Sequence, residues 1–186
     1  MPLPHPTKVF AIKECRISKL LTDPLGAPPA TWAASVPLVG AKKLTYLESI
    51  KTAYLRGDNR PLDSDSVRDQ GNGTFSCAKL NLDALAVLFS TAVIDAGVTP
   101  NQTATWATLS TDTLQYFKLE ARSASADYVN GDLLVQLWKC KLSGGPTRGL
   151  NEEDYQLFDF PFTFVPLLAD NRWYTETERE TAAILT

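Results

Sequence analysis

One histidine, one methionine and three cysteines are all that 186 residues contain of these types. The histidine, His5, stands among the prolines of Met1–Thr7, an expected irregular arm where nothing holds an imidazole against a second group. Serine–histidine and cysteine–histidine nucleophiles and histidine-based metal sites are therefore not expected. Cys15, Cys77 and Cys140 are far apart and odd in number, which gives no disulfide framework and no CxxC pair. Each lies in an apolar alternating segment, so buried inert thiols and a reducing cytoplasmic folding compartment are expected. No apolar run is long enough to cross a bilayer. The start, MPLPHPTKVFAIKE, lacks the basic segment, apolar core and cleavage site of a signal peptide. GxxxxGK[ST] and GxGxxG are absent, and the glycine-rich Ser143-Gly144-Gly145-Pro146 opens no helix. A net charge of −3 leaves no basic excess for a general nucleic-acid binder.

Carboxylates are the chemistry that remains. Asp58, Asp63 and Asp65 crowd one polar stretch but lack the spacing and closing glutamate of a calcium loop. Glu152, Glu153 and Asp154 form an acidic cluster at a strand start, with no partner that spacing can identify. No catalytic residue, metal ligand or cofactor is expected.

What the chain does have is β patterning around one helix. At this length it is expected to form one domain (residues 8–180), with an arm at 1–7 and a flexible tail at 181–186. Alternation predicts strands over Lys8–Ser18, Ala33–Leu38, Lys43–Ser49, Ile50–Gly57, Thr103–Leu109, Thr113–Ser123 and Asp132–Leu142. Asn130-Gly131 is a hairpin turn signal. In Glu152–Leu168, Phe158, Phe160, Phe162 and Phe164 alternate strictly and form an aromatic wall for a core or a subunit interface. Pro161 between them removes a ladder donor, which predicts an edge or a bulge. Asn171–Glu180 reads as a last strand.

Thr74–Leu80 is a strand that runs straight into a helix over 81–92. Asn81 is its N-cap and Asp83 faces the positive end of its dipole. Leu82, Leu85 and Phe89 share its buried face, and Gly97 closes the segment. Just before it, Asp58–Gly73 (DNRPLDSDSVRDQGNG) is the most polar stretch of the chain. It reads as a long loop that returns at Gly71-Asn72-Gly73, and its length suits a functional role. A mainly β sandwich or barrel flanked by one helix follows.

The order of these elements resembles a known family. Leu55-Arg56-Gly57-Asp58 ends an early strand ahead of the polar stretch. Leu80, Ala84, Leu85 and Leu88 mark a strand-to-helix passage, and the long strands Phe117–Ser123 and Leu133–Leu142 follow. Glu152 and Tyr155 open a phenylalanine-rich strand. From Lys43 to Leu168 the chain is similar to the major tail tube proteins of tailed bacteriophages, above all those with long non-contractile tails. The resemblance implies hexameric rings whose sheets join in a continuous inner barrel. The rings stack into a tube that carries DNA during ejection into the host. It implies a virion location after synthesis in the host cytoplasm. It also implies further tail proteins (tape measure, terminator, distal tail) as partners, and DNA that passes without specific binding. By the same analogy Arg56, Asp58, Arg60, Asp63, Asp65, Arg68 and Asp69 would contact a neighbouring subunit or ring. The competing expectation is a monomeric β-sandwich that binds a carbohydrate or protein ligand, with Trp32, Trp106, Trp138 or Trp173 as a stacking platform. Scattered over different strands, these tryptophans suit core or interface packing better.

Overall fold

The computed structural model describes residues 9–26, 28–57, 60–79, 81–125, 130–147 and 157–185. The fold is mainly β with a single helix among the described residues, as the patterning predicts. The strands are β1 (Val9–Thr22), the two-residue β2 (Thr31–Trp32) and β3 (Val36–Pro37), β4 (Ala41–Gly57) and β5 (Arg60–Cys77). After helix α1 (Leu82–Phe89) come β6 (Val93–Ala96), β7 (Thr103–Trp106), β8 (Phe117–Ser125), β9 (Asp132–Leu142), β10 (Phe158–Phe164) and β11 (Tyr174–Arg179).

One hydrogen-bonded sheet runs β2-β1-β8-β9-β10-β5-β4, with β11 also on β9 and β3 on β1. It folds over on itself where β9 meets β10. The upper part of β9 (Cys140–Leu142) pairs with β10, and its lower part (Asp132–Leu137) pairs with β11 along the same edge. Two layers result: β1, β8, β9 and β11 face β10, β5 and β4. Ile17, Phe117, Leu119, Leu137 and Cys140 from the first layer close on Phe75, Phe160, Phe162 and Phe164 from the second, all buried. Phe75 stacks on Phe160 at 4.7 Å and meets Phe117 edge-on at 6.5 Å across the core. All three cysteines lie in this interior, and burial pushes the Cys77 thiol up to about 11.

The alternating phenylalanines form a core wall on β10, with Phe158 half-buried at its end. Pro161 stands one residue beyond the last β9 pair, and its carbonyl accepts from Ser143 N–H (3.0 Å). The missing proline donor thus falls where the ladder has already ended.

Glycines decide the opposite face of this contact. In the register of β10 with β5, Phe162 lies across from Gly73 and Phe164 across from Gly71. A Cβ at Gly71 would collide with the Phe164 ring, and one at Gly73 with the Phe162 ring and the Thr45 carbonyl. These residues are therefore mid-strand sites of close aromatic approach. The turn expected at Gly71-Asn72-Gly73 is not there.

The larger correction concerns Asp58–Gly73. From Arg60 onward this stretch is strand, not loop, paired with β4 from Gly57↔Arg60 to Ala41↔Cys77 with three register shifts on the way. The expected break between Ser49 and Ile50 vanishes into the same 17-residue β4. A polar segment can be a strand here because β4 pairs the backbone groups of one edge while the other edge and the side chains remain in water.

The helix is shorter than expected. Asn81 caps it, its side chain accepting from Asp83 N–H (3.0 Å) and donating to the Pro37 carbonyl (2.8 Å). It stops at Phe89, where Ser90 takes the left-handed conformation. The β-branched Thr91, Val93 and Ile94 then favour strand β6 over a further turn. Gly97 serves the connection between β6 and β7 instead (φ 83°). Ala84, Leu85 and Leu88 are the buried residues of the helix, while Leu82 and Phe89 are half-buried, Phe89 edge-on to Trp106 at 5.4 Å.

The C-terminal segment is not a loose tail as far as Leu185. Ala182 N–H donates to the Asn130 carbonyl (2.7 Å), Arg179 reaches the Ala183 carbonyl (3.0 Å), and Leu185 is buried with its N–H on Glu14 (3.2 Å).

Gly71→Ala should therefore destabilise the fold by about 1–3 kcal/mol or more, the cost of overpacking. Urea unfolding measures this, and Asn72→Ala in the same strand serves as the mild control.

A protruding two-stranded arm as candidate assembly site

β10 covers β5 only from Gly71 to Cys77. Below that level β4 and β5 continue as a two-stranded ribbon. Ser49–Gly57 at about 3.3 Å per residue makes an arm of roughly 30 Å. It leaves the end of β5 opposite to the end that leads into α1. Both faces of the ribbon are in water: residues 50–55 and 63–70 are all exposed. Beyond their mutual pairing, neither ribbon strand has a ladder partner among the described residues. An isolated hairpin is marginally stable at best, and open strand edges invite pairing.

The two faces differ. One carries Ile50, Thr52 and Tyr54 opposite Arg68, Ser66 and Ser64. The other carries Lys51, Ala53 and Leu55 opposite Val67, Asp65 and Asp63. Ile50, Tyr54, Leu55 and Val67 are each 60–63% exposed. Thr52 and Ser66 hydroxyls meet at 2.9 Å, and Lys51 pairs with Asp69 at 2.6 Å. Such exposed pairs contribute little, so the arm is held mainly by its ladder.

The arm is rooted in a polar cluster between the layers. Tyr46 on β4 donates to Glu176 on β11, its ring 5.7 Å from that of Tyr174. Arg68 pairs with Glu48 at 3.1 Å. Burial and the Glu176 carboxylate hold the Tyr46 hydroxyl well above its ordinary pKa, and burial and Glu48 raise that of Tyr174. Immediately outside, the register shifts between Ser49 and Ile50 and leaves Asp69 as the extra residue of a bulge.

Of the residues expected to make subunit contacts, Asp63, Asp65, Arg68 and Asp69 lie on this arm. Asp58 is outside the described residues, as are the side chains of Arg56 and Arg60. His5, the Met1–Thr7 arm and the Glu152–Asp154 cluster are outside them too. Sequence reasoning missed Ile50, Tyr54, Leu55 and Val67 as surface residues. Among the described residues no group of three or more His, Cys, Asp and Glu converges as a metal site, and no helix is long and apolar enough to cross a membrane. Trp138 is buried beneath Trp32 (5.5 Å) and the Arg172 guanidinium (4.3 Å). Trp106 abuts Phe89, and Trp173 meets Phe164 edge-on at 6.3 Å.

A second polar network braces the first layer. Arg179 grips Asp132 with two 2.6 Å hydrogen bonds, and Arg122 lies 3.5 Å from both Asp132 and Glu14. Glu14 also pairs with Arg16 at 2.8 Å. No known protein family matches the chain, and no curated protein matches it in sequence.

Burial alone would raise the Glu14 pKa, but Arg16, the Leu185 N–H and Arg122 outweigh it and leave the carboxyl below its ordinary value. Its contribution is then complete above the unfolded pKa and is lost as pH falls through the lower folded pKa. Amide protection at 180–185 should persist near neutrality and fade below about pH 4. In Glu14→Gln it should be weaker at neutral pH and nearly independent of pH. Hydrogen exchange across a pH series provides the check.

Proposed function

We propose that this chain is a structural subunit that assembles with copies of itself, and specifically a tail tube subunit of a tailed bacteriophage. In this reading hexameric rings stack into the conduit for DNA ejection, and the subunit, made in the host cytoplasm, ends in the virion beside other tail proteins. The arm is the observation that carries the proposal. It exposes two open edges and four large apolar side chains on a ribbon with no core of its own. That surface is costly in an isolated subunit and useful in one that a neighbour covers. A ribbon that extends from one end of a subunit contacts a different surface on the next copy, the head-to-tail arrangement from which rings and tubes are built. Mainly β layers with one helix and ordering similar to the tail tube proteins add an argument by likeness of fold. The acidic balance suits DNA that slides past without adhering.

A monomeric sugar-binding sandwich is supported less well. The tryptophans that would form its platform are spent on packing, above all Trp138.

Purified protein at high concentration should show rings or tubes by negative-stain microscopy. Replacing Ile50, Tyr54, Leu55 and Val67 together by serine should leave the melting temperature within a few degrees, because surface substitutions shift stability by only about 0.5 kcal/mol each. The same variant should abolish assembly. Wild-type protein that stays monomeric at every salt and protein concentration overturns the proposal.

A further inference from the structure

The two layers do not close at one side. The lower half of β1 has no ladder partner on its edge towards β4 among the described residues, and the outer edge of β4 has none along its whole length. Between them opens a cleft of about 420 Å³. Ile12, Leu44, Tyr46, Leu133 and Val135 line it, and Lys42 and Lys43 stand at the rim. The strand at its floor is irregular. β1 changes register twice between Phe10 and Glu14, and Ala11 takes a left-handed backbone (φ 57°), a conformation that costs an alanine about 1–2 kcal/mol. Strain of this kind gathers where a segment is shaped for contact.

The geometry points to the arm of a second copy of this chain as the occupant of this cleft, entering with its Leu55–Val67 face. This assignment rests on the self-assembly reading above. Two observations select that face over the other. The first is shape: Leu55, Ala53 and Val67 are aliphatic, like the Ile12, Leu44, Leu133 and Val135 that line the cleft, whereas the opposite face sets the larger Tyr54 and Ile50 among Thr52, Ser64, Ser66 and Arg68. The second is charge. Asp63 and Asp65 flank the ridge, and Lys51 beside them is already neutralised by Asp69. The cleft rim offers the complementary Lys42 and Lys43, both exposed. The opposite face offers no carboxylate to meet them, and its Arg68 is engaged by Glu48. A strand that reaches the open β4 edge also finds unpaired backbone groups there, which adds ladder hydrogen bonds to the side-chain fit. The chain's own arm continues the strand that forms one cleft wall and points away from it, so the occupant is a different copy.

The test is charge reversal with rescue. K42E/K43E and D63K/D65K should each raise the protein concentration at which assembly begins by roughly tenfold or more. The four-site combination, in which the charges are complementary again, should return it towards the wild-type value. Melting temperatures of all three variants report whether the subunit stays folded. An independent arm uses the full chain with A53C and K43C, where mild oxidation should yield intermolecular disulfides only under assembling conditions. The three wild-type cysteines are buried, so they do not compete. If wild-type protein assembles but neither single-side reversal weakens it, or no disulfide forms between positions 53 and 43 of different copies, arm-in-cleft docking is wrong while self-assembly stands. If wild-type protein never assembles, both fail.

Discussion

The rings of Phe162 and Phe164 lie on the bare backbone of Gly73 and Gly71, and most of the molecule depends on that contact. It sets the register of β10 against β5, because shifting by one residue would send all the phenylalanines to the outer face. It lets the wall of rings reach Phe75 and Phe117 and so bind one layer to the other. It also fixes where coverage of β5 stops. Above Gly71 the strand belongs to the core; below it, β4 and β5 carry on alone. A compact body and a protruding arm are consequences of one boundary within one strand.

That boundary explains what was legible in the sequence. Where a strand has one face in the core, alternation reveals it, and the phenylalanines of β10 are visible in that way. The N-cap at Asn81 was legible for a local reason, since an asparagine ahead of an apolar helical repeat satisfies an otherwise orphaned N–H. The arm was not legible as a strand. A ribbon with water on both faces has no hydrophobic period to display, so Arg60–Gln70 looks like any polar loop. Gly71 and Gly73 were misread because a glycine that makes a turn and one that receives an aromatic ring are identical in sequence. Only the cross-strand partner separates them.

The candidate site was half legible for a related reason. Polar residues of the arm stood out by their density, and Asp63, Asp65, Arg68 and Asp69 do lie on the projecting element. The apolar residues that give it a reason to be covered did not stand out. Ile50, Tyr54 and Leu55 fall in an expected strand and Val67 in the expected polar loop, and only the topology puts all four together in water. The cleft between β1 and β4 was likewise invisible, because Leu44 and Val135 look the same whether a layer closes over them or leaves them at an opening.

If the proposed assembly holds, the arm is incomplete in the free subunit and is finished by a neighbour. Hydrogen–deuterium exchange of the backbone amides in residues 50–70 tests this most directly, read on the same protein below and above the concentration at which it assembles. Exchange should be fast in the dilute subunit and slow in the assembled form, with unchanged protection of the core strands β8 and β9 in both. Arm amides that exchange at the same rate in both forms would contradict it.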